Sequence, residues 1–253
     1  MMDFVAWPKL PRLHKDIVVT EKIDGTNAAV IIEAIPDPRP DLEVSDRSTL
    51  TTWLGGPGEG RYEARSFRRG EGANAKLFLV GAQSRKQLIT PEKDNFGFAA
   101  WVFENAEQLL VTLGVGRHYG EWWGSGIQRG YGLPKGERRF SLFNRTRYPH
   151  LWDPDHARED EIDPATGEEL LPELDVVPVL YEGPFDEKEI EDCMQALDEH
   201  GSHAAPGFKP AEGVVIFHEA AQQLFKWPFD PAPKGTPFTP PEPLTKSNGV
   251  WLG

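Results

Sequence analysis

Apolar positions along the chain follow two periods, and short runs of strand-like alternation outnumber helical ones. Residues 16–33, DIVVTEKIDGTNAAVIIE, read as strand, turn and strand. Ile17, Val18 and Val19 lead in, Asp24-Gly25 marks the turn, and Ala29-Val30-Ile31-Ile32 form a short buried run. Lys76 to Val80 is strand-like, and further strands are expected at 117–123, 139–144 and 176–181. Phe98, Trp101, Val102, Asn105 and Leu109 fall at helical spacing within 95–113, with Gly114 as the stop. A second helix is expected at 186–199: Asp186 takes the N-cap, Ile190, Cys193, Met194 and Leu197 form one stripe, and Gly201 ends it. The last paired strands are Gly213–His218 and Gln222–Trp227. Residues 34–75 are rich in Pro, Gly and Arg with little periodicity and read as a surface excursion. Many short strands with two helices predict an α+β domain built on antiparallel sheets flanked by helices.

Composition sharpens this reading. At 253 residues with 39% hydrophobic content, the chain can bury a substantial core, which excludes disorder throughout, collagen and coiled coil. Its single cysteine, Cys193, rules out an internal disulfide framework and fits a reducing cytoplasm. No apolar run approaches the roughly 20 residues of a membrane helix, and the N-terminus lacks a signal peptide's continuous apolar segment. A soluble, cytoplasmic protein with no membrane partner is expected.

The net charge of -13 argues at first against a nucleic-acid partner. Its distribution reverses that argument. Residues 151–200 hold 18 Asp and Glu against Arg158 and Lys188 alone, which leaves +3 on the other 203 residues. The acid therefore sits in one segment beside a mildly basic body. A solvated acidic face that keeps the protein soluble accounts for the segment equally simply.

The chemically informative segment is Glu21-Lys22-Ile23-Asp24-Gly25-Thr26-Asn27, where a lysine leads into a tight turn between two carboxylates. A lysine can act as a nucleophile only once its proton is removed, by desolvation, a neighbouring cation or a base. Asp24 is placed to orient that amine or a metal-bound water, and Gly25 to let a ligand approach the backbone. Taken alone, Lys-x-Asp-Gly is also what a charged hairpin turn looks like. Four further segments carry residues suited to a nucleoside triphosphate. Ser84-Arg85-Lys86 offers a guanidinium just beyond a strand. Glu121 lies between glycines in Tyr119-Gly120-Glu121-Trp122-Trp123-Gly124-Ser125-Gly126-Ile127-Gln128, able to accept from a ribose hydroxyl. Phe140-Ser141-Leu142-Phe143 offers aromatic faces for a purine. Glu212, before Gly213-Val214-Val215-Ile216, and Lys226, in Leu224-Phe225-Lys226-Trp227, offer a carboxylate for Mg²⁺ and a cation for phosphate. Cys193, His200 and His203 read as helix packing rather than a metal cluster, because no second cysteine is near.

In order and content these segments resemble the covalent nucleotidyltransferase superfamily of polynucleotide ligases and mRNA-capping enzymes. The resemblance is closest to the RNA ligase 2 group, which includes phage RNA ligases and kinetoplastid RNA-editing ligases, and it covers residues 16–229. It implies a ligase adenylylation domain over 1–229, with 34–75 as the surface excursion and 151–200 as an acidic insertion. Lys22 would attack the α-phosphate of ATP to form a lysyl-AMP, with Asp24 and Lys226 as its catalytic companions. Glu21, Asn27, Arg85, Glu121, Phe143 and Glu212 would hold the nucleotide: Arg85 at phosphate, Glu121 at ribose, Phe143 stacked on adenine. Glu212 would lie at the metal, Mg²⁺ or Mn²⁺. One position departs from the family pattern, since Pro228 stands where a second basic residue normally follows Lys226.

The implied reaction is joining of RNA 3′-hydroxyl and 5′-phosphate ends, in nicked or broken RNA or an RNA/DNA hybrid. The alternatives are a nucleotide- or RNA-end-binding module of the same fold that seals poorly, and a DNA ligase or capping-type nucleotidyltransferase. Residues 230–253 contain six prolines and read as an extended tail with no room for an OB-fold. Strand engagement is then expected from the basic stretches 61–86 and 129–147 or from a protein partner.

Overall fold

The computed structural model describes residues 10–36, 49–54, 61–70, 76–148, 151 and 171–229. Two compact units divide it. The first combines the N-terminal part through Ile23 with the chain from Val177 onward, and the second runs from Asp24 to Val176. The chain passes from one unit to the other inside the Lys-x-Asp-Gly turn.

The first unit holds a four-stranded antiparallel sheet and one helix. Its strands are β1 (Asp16–Glu21), β10 (Val179–Pro184), β11 (Gly213–His218) and β12 (Gln223–Pro228), in the order β10-β1-β11-β12. The helix Glu187–His200, α3, lays Ile190, Cys193 and Leu197 on Ile17, Val19, Val214 and Ile216. These sheet residues alternate with outward ones, as a half-buried strand requires. Asp186 caps α3 by accepting the Lys188 N–H at 2.9 Å. Cys193 is buried in that helix interface, as expected.

The second unit is built on eight strands. They are β2 (Thr26–Pro36), β3 (Thr49–Leu54), β4 (Arg61–Arg69), β5 (Lys76–Ser84), β6 (Leu88–Ile89), β7 (Gly116–Gly124), β8 (Arg138–Leu142) and β9 (Leu174–Val176). The order is β3-β4-β5-β2-β7-β8-β9, with β6 paired to β5; only β8–β9 is parallel. Helices α1 (Phe98–Glu104) and α2 (Ala106–Leu113) share a core with one face of this sheet, through Ala28, Val30, Trp122, Phe140 and Leu142. The mixed α+β class with antiparallel sheets is therefore as predicted.

Three elements differ from the sequence reading. The strand expected at 176–181 is two, since β9 ends at Val176 in the second unit's sheet and β10 begins at Val179 in the first unit's. The 34–75 stretch contains the end of β2 and the strands β3 and β4, because charged residues at alternate positions of RYEARSFRR hide a strand whose Ala64 and Phe67 are buried. The helix expected over 95–113 is broken at Asn105 (φ -104, ψ 18), whose side-chain amide donates to the Trp101 carbonyl four residues back. Its start comes from Asp94, whose carboxylate accepts the N–H groups of Ala99 (2.7 Å) and Ala100 (3.0 Å). The proline-rich tail and most of the acid-rich stretch before Leu171 lie outside the described residues.

Candidate nucleotidyl-transfer site

The predicted residues divide between the two units. In the first unit, β1 delivers Glu21 and Lys22 beside the start of β11. The Lys22 N–H donates to the Gly213 carbonyl at 2.9 Å, continuing the ladder one residue past the strand. Lys22 Nζ lies 2.7 Å from Glu212 Oε1, with both side chains mostly shielded, at 23% and 17% exposure. Glu212 Oε2 is buried and has no hydrogen-bond partner. A carboxylate oxygen left in this way costs free energy unless a cation or donor meets it. Gly213, at φ +140, lets the strands close here, since a β-carbon would lie 2.3 Å from the Trp227 carbonyl oxygen.

Glu21 points the other way. It follows Ile17 and Val19 on the helix-covered face of the sheet and is 1% exposed. Its Oε2 accepts the N–H groups of His203 (2.7 Å) and Ala204 (2.9 Å), from the loop after α3. Burial pushes its pKa up, against the opposing pull of the Ser202 hydroxyl and those two amides. Oε2 is committed to the loop, and Oε1 is buried on the α3 side of the sheet without a hydrogen-bond partner, so neither oxygen lies on the face that carries Lys22.

Lys226 lies on the edge strand β12, exposed and in register with Val215 and Thr20. Alternation puts it on the face that Lys22 extends, opposite the α3 side. It is roughly 10 Å from that lysine across two strand spacings and about 7 Å along them. Pro228, two residues on, pairs with Gly213, so packing occupies the position where the resemblance calls for a second cation.

In the second unit, the strand register gathers the other candidates. Asn27, Glu121 and Ser141 form one row across β2, β7 and β8, and Ala29 and Tyr119 the next. The Phe143 N–H donates to the Tyr119 carbonyl at 3.0 Å, which extends this second row just past β8. All six share the face opposite α1 and α2. Arg85 follows Ser84, the partner of Ala28, so it sits at the same end of the sheet as Asn27. It is exposed in the tight turn between β5 and β6. Phe143 is partly exposed on its row.

Glu121, 8% exposed, grips the turn itself. Oε1 accepts the Gly25 N–H at 3.1 Å and Oε2 accepts from the Asn27 amide at 2.6 Å. Gly25 corrects an expectation. A β-carbon there would stand 2.5 Å from the Trp122 carbonyl oxygen and 2.8 Å from Trp123 Cβ, so the missing side chain admits β7, not a ligand.

Asp24 is likewise engaged, through Arg129 Nε at 3.0 Å on Oδ2 and through its N–H donated to Tyr131 Oη at 2.7 Å. Neither partner was singled out from the sequence. A signal existed: a tyrosine set between two glycines, directly after Gly126-Ile127-Gln128-Arg129, is an unusual place for an aromatic unless its ring is used. The basic stretch 129–147 is also occupied more than expected. Arg129 meets Asp24, Arg138 the Ser125 carbonyl, Arg139 Glu137 and the Trp123 ring, and Arg147 the Val115 carbonyl.

Among the described residues, no three His, Cys, Asp or Glu side chains group together as a metal site. The donor set suits Mg²⁺ held by one carboxylate plus substrate phosphates and water, and the unpartnered Glu212 Oε2 is the atom that would contribute. His118 and His218 are structural. His118, on the helix-packed face, pairs Nδ1 with the Tyr148 hydroxyl and Nε2 with the Gly114 carbonyl, and burial with Arg147 nearby lowers its pKa to about 3. His218 Nε2 meets the Leu13 carbonyl at 2.7 Å. No described helix is long and apolar enough to cross a membrane.

No curated protein matches the sequence. Among solved structures, the chain is similar to a Naegleria gruberi RNA ligase, a lysine-to-alanine mutant in its apo form, at 16% identity and a TM-score of 0.43. That match covers 85% of this chain and spans half the length of the other. The model of the family described as RNA ligase matches residues 15–228, which include every candidate residue above, and the chain belongs to that family.

Proposed function

We propose that this chain is an ATP-dependent RNA ligase that works through a covalent lysyl-AMP on Lys22. The observation that carries the reading is the Lys22–Glu212 pair: an amine at a strand end, 2.7 Å from a carboxylate whose other oxygen is buried and unpartnered. Membership of the RNA ligase family supports it.

In the proposed step, the Lys22 ammonium gives a proton to Glu212 Oε1. The freed nitrogen lone pair attacks the α-phosphorus of ATP, a nitrogen–phosphorus bond forms, and the bond from that phosphorus to the pyrophosphate oxygen breaks. Mg²⁺, when bound, supplies charge neutralisation for the departing pyrophosphate. Lys226 and Arg85 hold phosphate oxygens, Glu121 and Asn27 the ribose side, and Phe143 gives the adenine a ring to stack on. AMP then passes to an RNA 5′-phosphate, and a 3′-hydroxyl displaces it to close the strand. Placement and electrostatics dominate such transfers, which matches a site with few proton-transfer groups.

Glu21 acts indirectly in this scheme, fixing the end of β1 through the loop at His203 and Ala204. Pro228 favours a second reading, a family member that binds nucleotide or RNA ends and seals slowly. Incubation with α-labelled ATP and Mg²⁺, followed by denaturing electrophoresis, separates the two. The ligase gives an acid-labile labelled protein that Lys22→Ala abolishes, and then joins RNA ends; absence of label from the unaltered chain rules the ligase out. Preferential labelling by GTP would instead indicate capping-type chemistry.

A further inference from the structure

Asp24, two residues after Lys22, is held at two points by a single turn that follows β7. Tyr131 Oη accepts its backbone N–H at 2.7 Å, and Arg129 Nε meets its Oδ2 at 3.0 Å. That turn has a backbone that residues with a β-carbon avoid: Gln128 is at φ 43 and Tyr131 at φ 50, with Gly130 and Gly132 both at φ 68. Such conformations persist only where the surroundings fix them. Here the fixing contact is visible, because the Tyr131 side chain is buried edge-on against Trp123 with ring centroids 5.0 Å apart. Strain and burial together aim one phenol oxygen at one main-chain N–H. The Arg129–Asp24 pair is about one-third exposed on each side, so it contributes little to folding. Its geometry is better explained by what it holds still.

We infer that Arg129 and Tyr131 are positioning residues for the reaction at Lys22, gripping Asp24 by side chain and main chain so that the lysine is presented in one orientation. Ile23 is the only residue between Asp24 and Lys22, so the grip on Asp24 constrains the chain on one side of the lysine while the Gly213 carbonyl holds the lysine's own N–H. A misplacement of about 1 Å at a reacting atom can cost a hundredfold in rate without loss of binding. The inference rests on the ligase reading above and adds to it two residues and their role.

The test is single-turnover transfer of labelled AMP from ATP to the full chain, with thermal unfolding of each variant alongside. Tyr131→Phe and Arg129→Ala are each expected to lower the limiting rate about tenfold, with the half-saturating ATP concentration changed less than about twofold. The unfolding temperature of Arg129→Ala should hold within about 3 °C, because its pair with Asp24 is partly exposed. Tyr131→Phe leaves the Asp24 N–H without its acceptor and should unfold a few degrees lower. Arg129→Lys should recover part of the rate, since an ammonium can still reach the carboxylate. Adding Arg129→Ala to Asp24→Asn should slow the reaction no further, because both remove one interaction. Lys188→Ala, which breaks an exposed pair with Asp192 on α3, is the control and should label at the unaltered rate. Unaltered rates in Tyr131→Phe and Arg129→Ala would overturn the inference. So would rates that fall only in step with unfolding temperature and are not rescued by lysine. An unaltered chain that takes no label fails earlier, before any variant is compared, and removes the ligase reading together with this one.

Discussion

A protonated lysine has no lone pair with which to attack phosphorus, so the reaction proposed for Lys22 needs a neighbour that takes its proton. In the proposed reaction the Glu212 carboxylate 2.7 Å away would serve two ends, taking the proton through Oε1 and leaving Oε2 for a cation. Glu212→Gln keeps the shape and removes the charge, and should lower adduct formation about 10²-fold or more, measured by label retained on the protein. Its unfolding temperature should fall only slightly, because the shape is kept and the amide oxygen can still accept from Lys22 Nζ. Gly25 leads to the opposite kind of prediction. Gly25→Ala would push a methyl to 2.5 Å from the Trp122 carbonyl oxygen, and should destabilise the second unit by about 1–3 kcal/mol in denaturant unfolding. His118 gives the pH dependence. Its pKa is near 6.5 unfolded and about 3 folded, so the unfolded chain binds the extra proton between those values. Stability is complete above the unfolded value and falls as pH drops below it, by about 2 kcal/mol at pH 5. His118→Gln, which keeps a donor and an acceptor, should flatten that acid limb; an unchanged limb would show that other groups set it. How legible these roles were depended on sequence distance. Lys22, Asp24 and Gly25 are contiguous and could be read as one turn. The partners of Asp24 lie 105 and 107 residues away, and no local pattern joins them to it.

At the scale of elements, the strands that carry the candidate residues are readable because their apolar runs are clean, as in Ala29 to Ile32 and Val214 to Ile216. Those that only extend the sheet are not. β4 carries Arg61, Glu63, Arg65, Arg68 and Arg69, and a strand with that many charges resembles surface loop until its register with β5 is seen. The break at Asn105 was hidden for a different reason: asparagine satisfies helical spacing, and its competing side-chain bond to Trp101 is a local choice that periodicity does not record. Helix α3 was predicted nearly residue for residue because its ends carry their own chemistry. Asp186 accepts the Lys188 N–H, Glu187 and Glu189 meet the positive end of the helix dipole, and Gly201 closes it at φ 89. Asp186→Ala should cost the first unit about 1 kcal/mol and Asp186→Ser nearly nothing, as read by chemical unfolding. The loop that follows Gly201 at the other end of α3 is the one Glu21 holds.

On the whole molecule, charge is the property that the family assignment leaves to be reconciled. A chain proposed to act on polyanions carries -13, with 151–200 contributing -16 and everything else +3. Several arginines of the basic stretch 129–147 are turned to the protein's own groups, which leaves fewer cations for phosphate than the sequence count suggests. RNA affinity should therefore depend only weakly on salt, since each phosphate neutralised on a single strand contributes a slope of about -0.7. The acidic segment should act on RNA as a field, reaching about a Debye length and fading as salt shortens it. Asp153, Asp155, Glu159, Asp160, Glu161 and Asp163 belong to that segment and lie outside the described residues. Changing these six to Asn and Gln should tighten binding of a 5′-phosphorylated RNA a few-fold at about 50 mM salt, where the Debye length is longer than at physiological strength. The advantage over the unaltered chain should shrink toward none near 1 M, where that length is about 3 Å. Fluorescence anisotropy across that range measures the ratio directly. A ratio of one at every salt concentration would mean that the acid stands beyond reach of the RNA, and that the segment serves solubility or a basic protein partner instead.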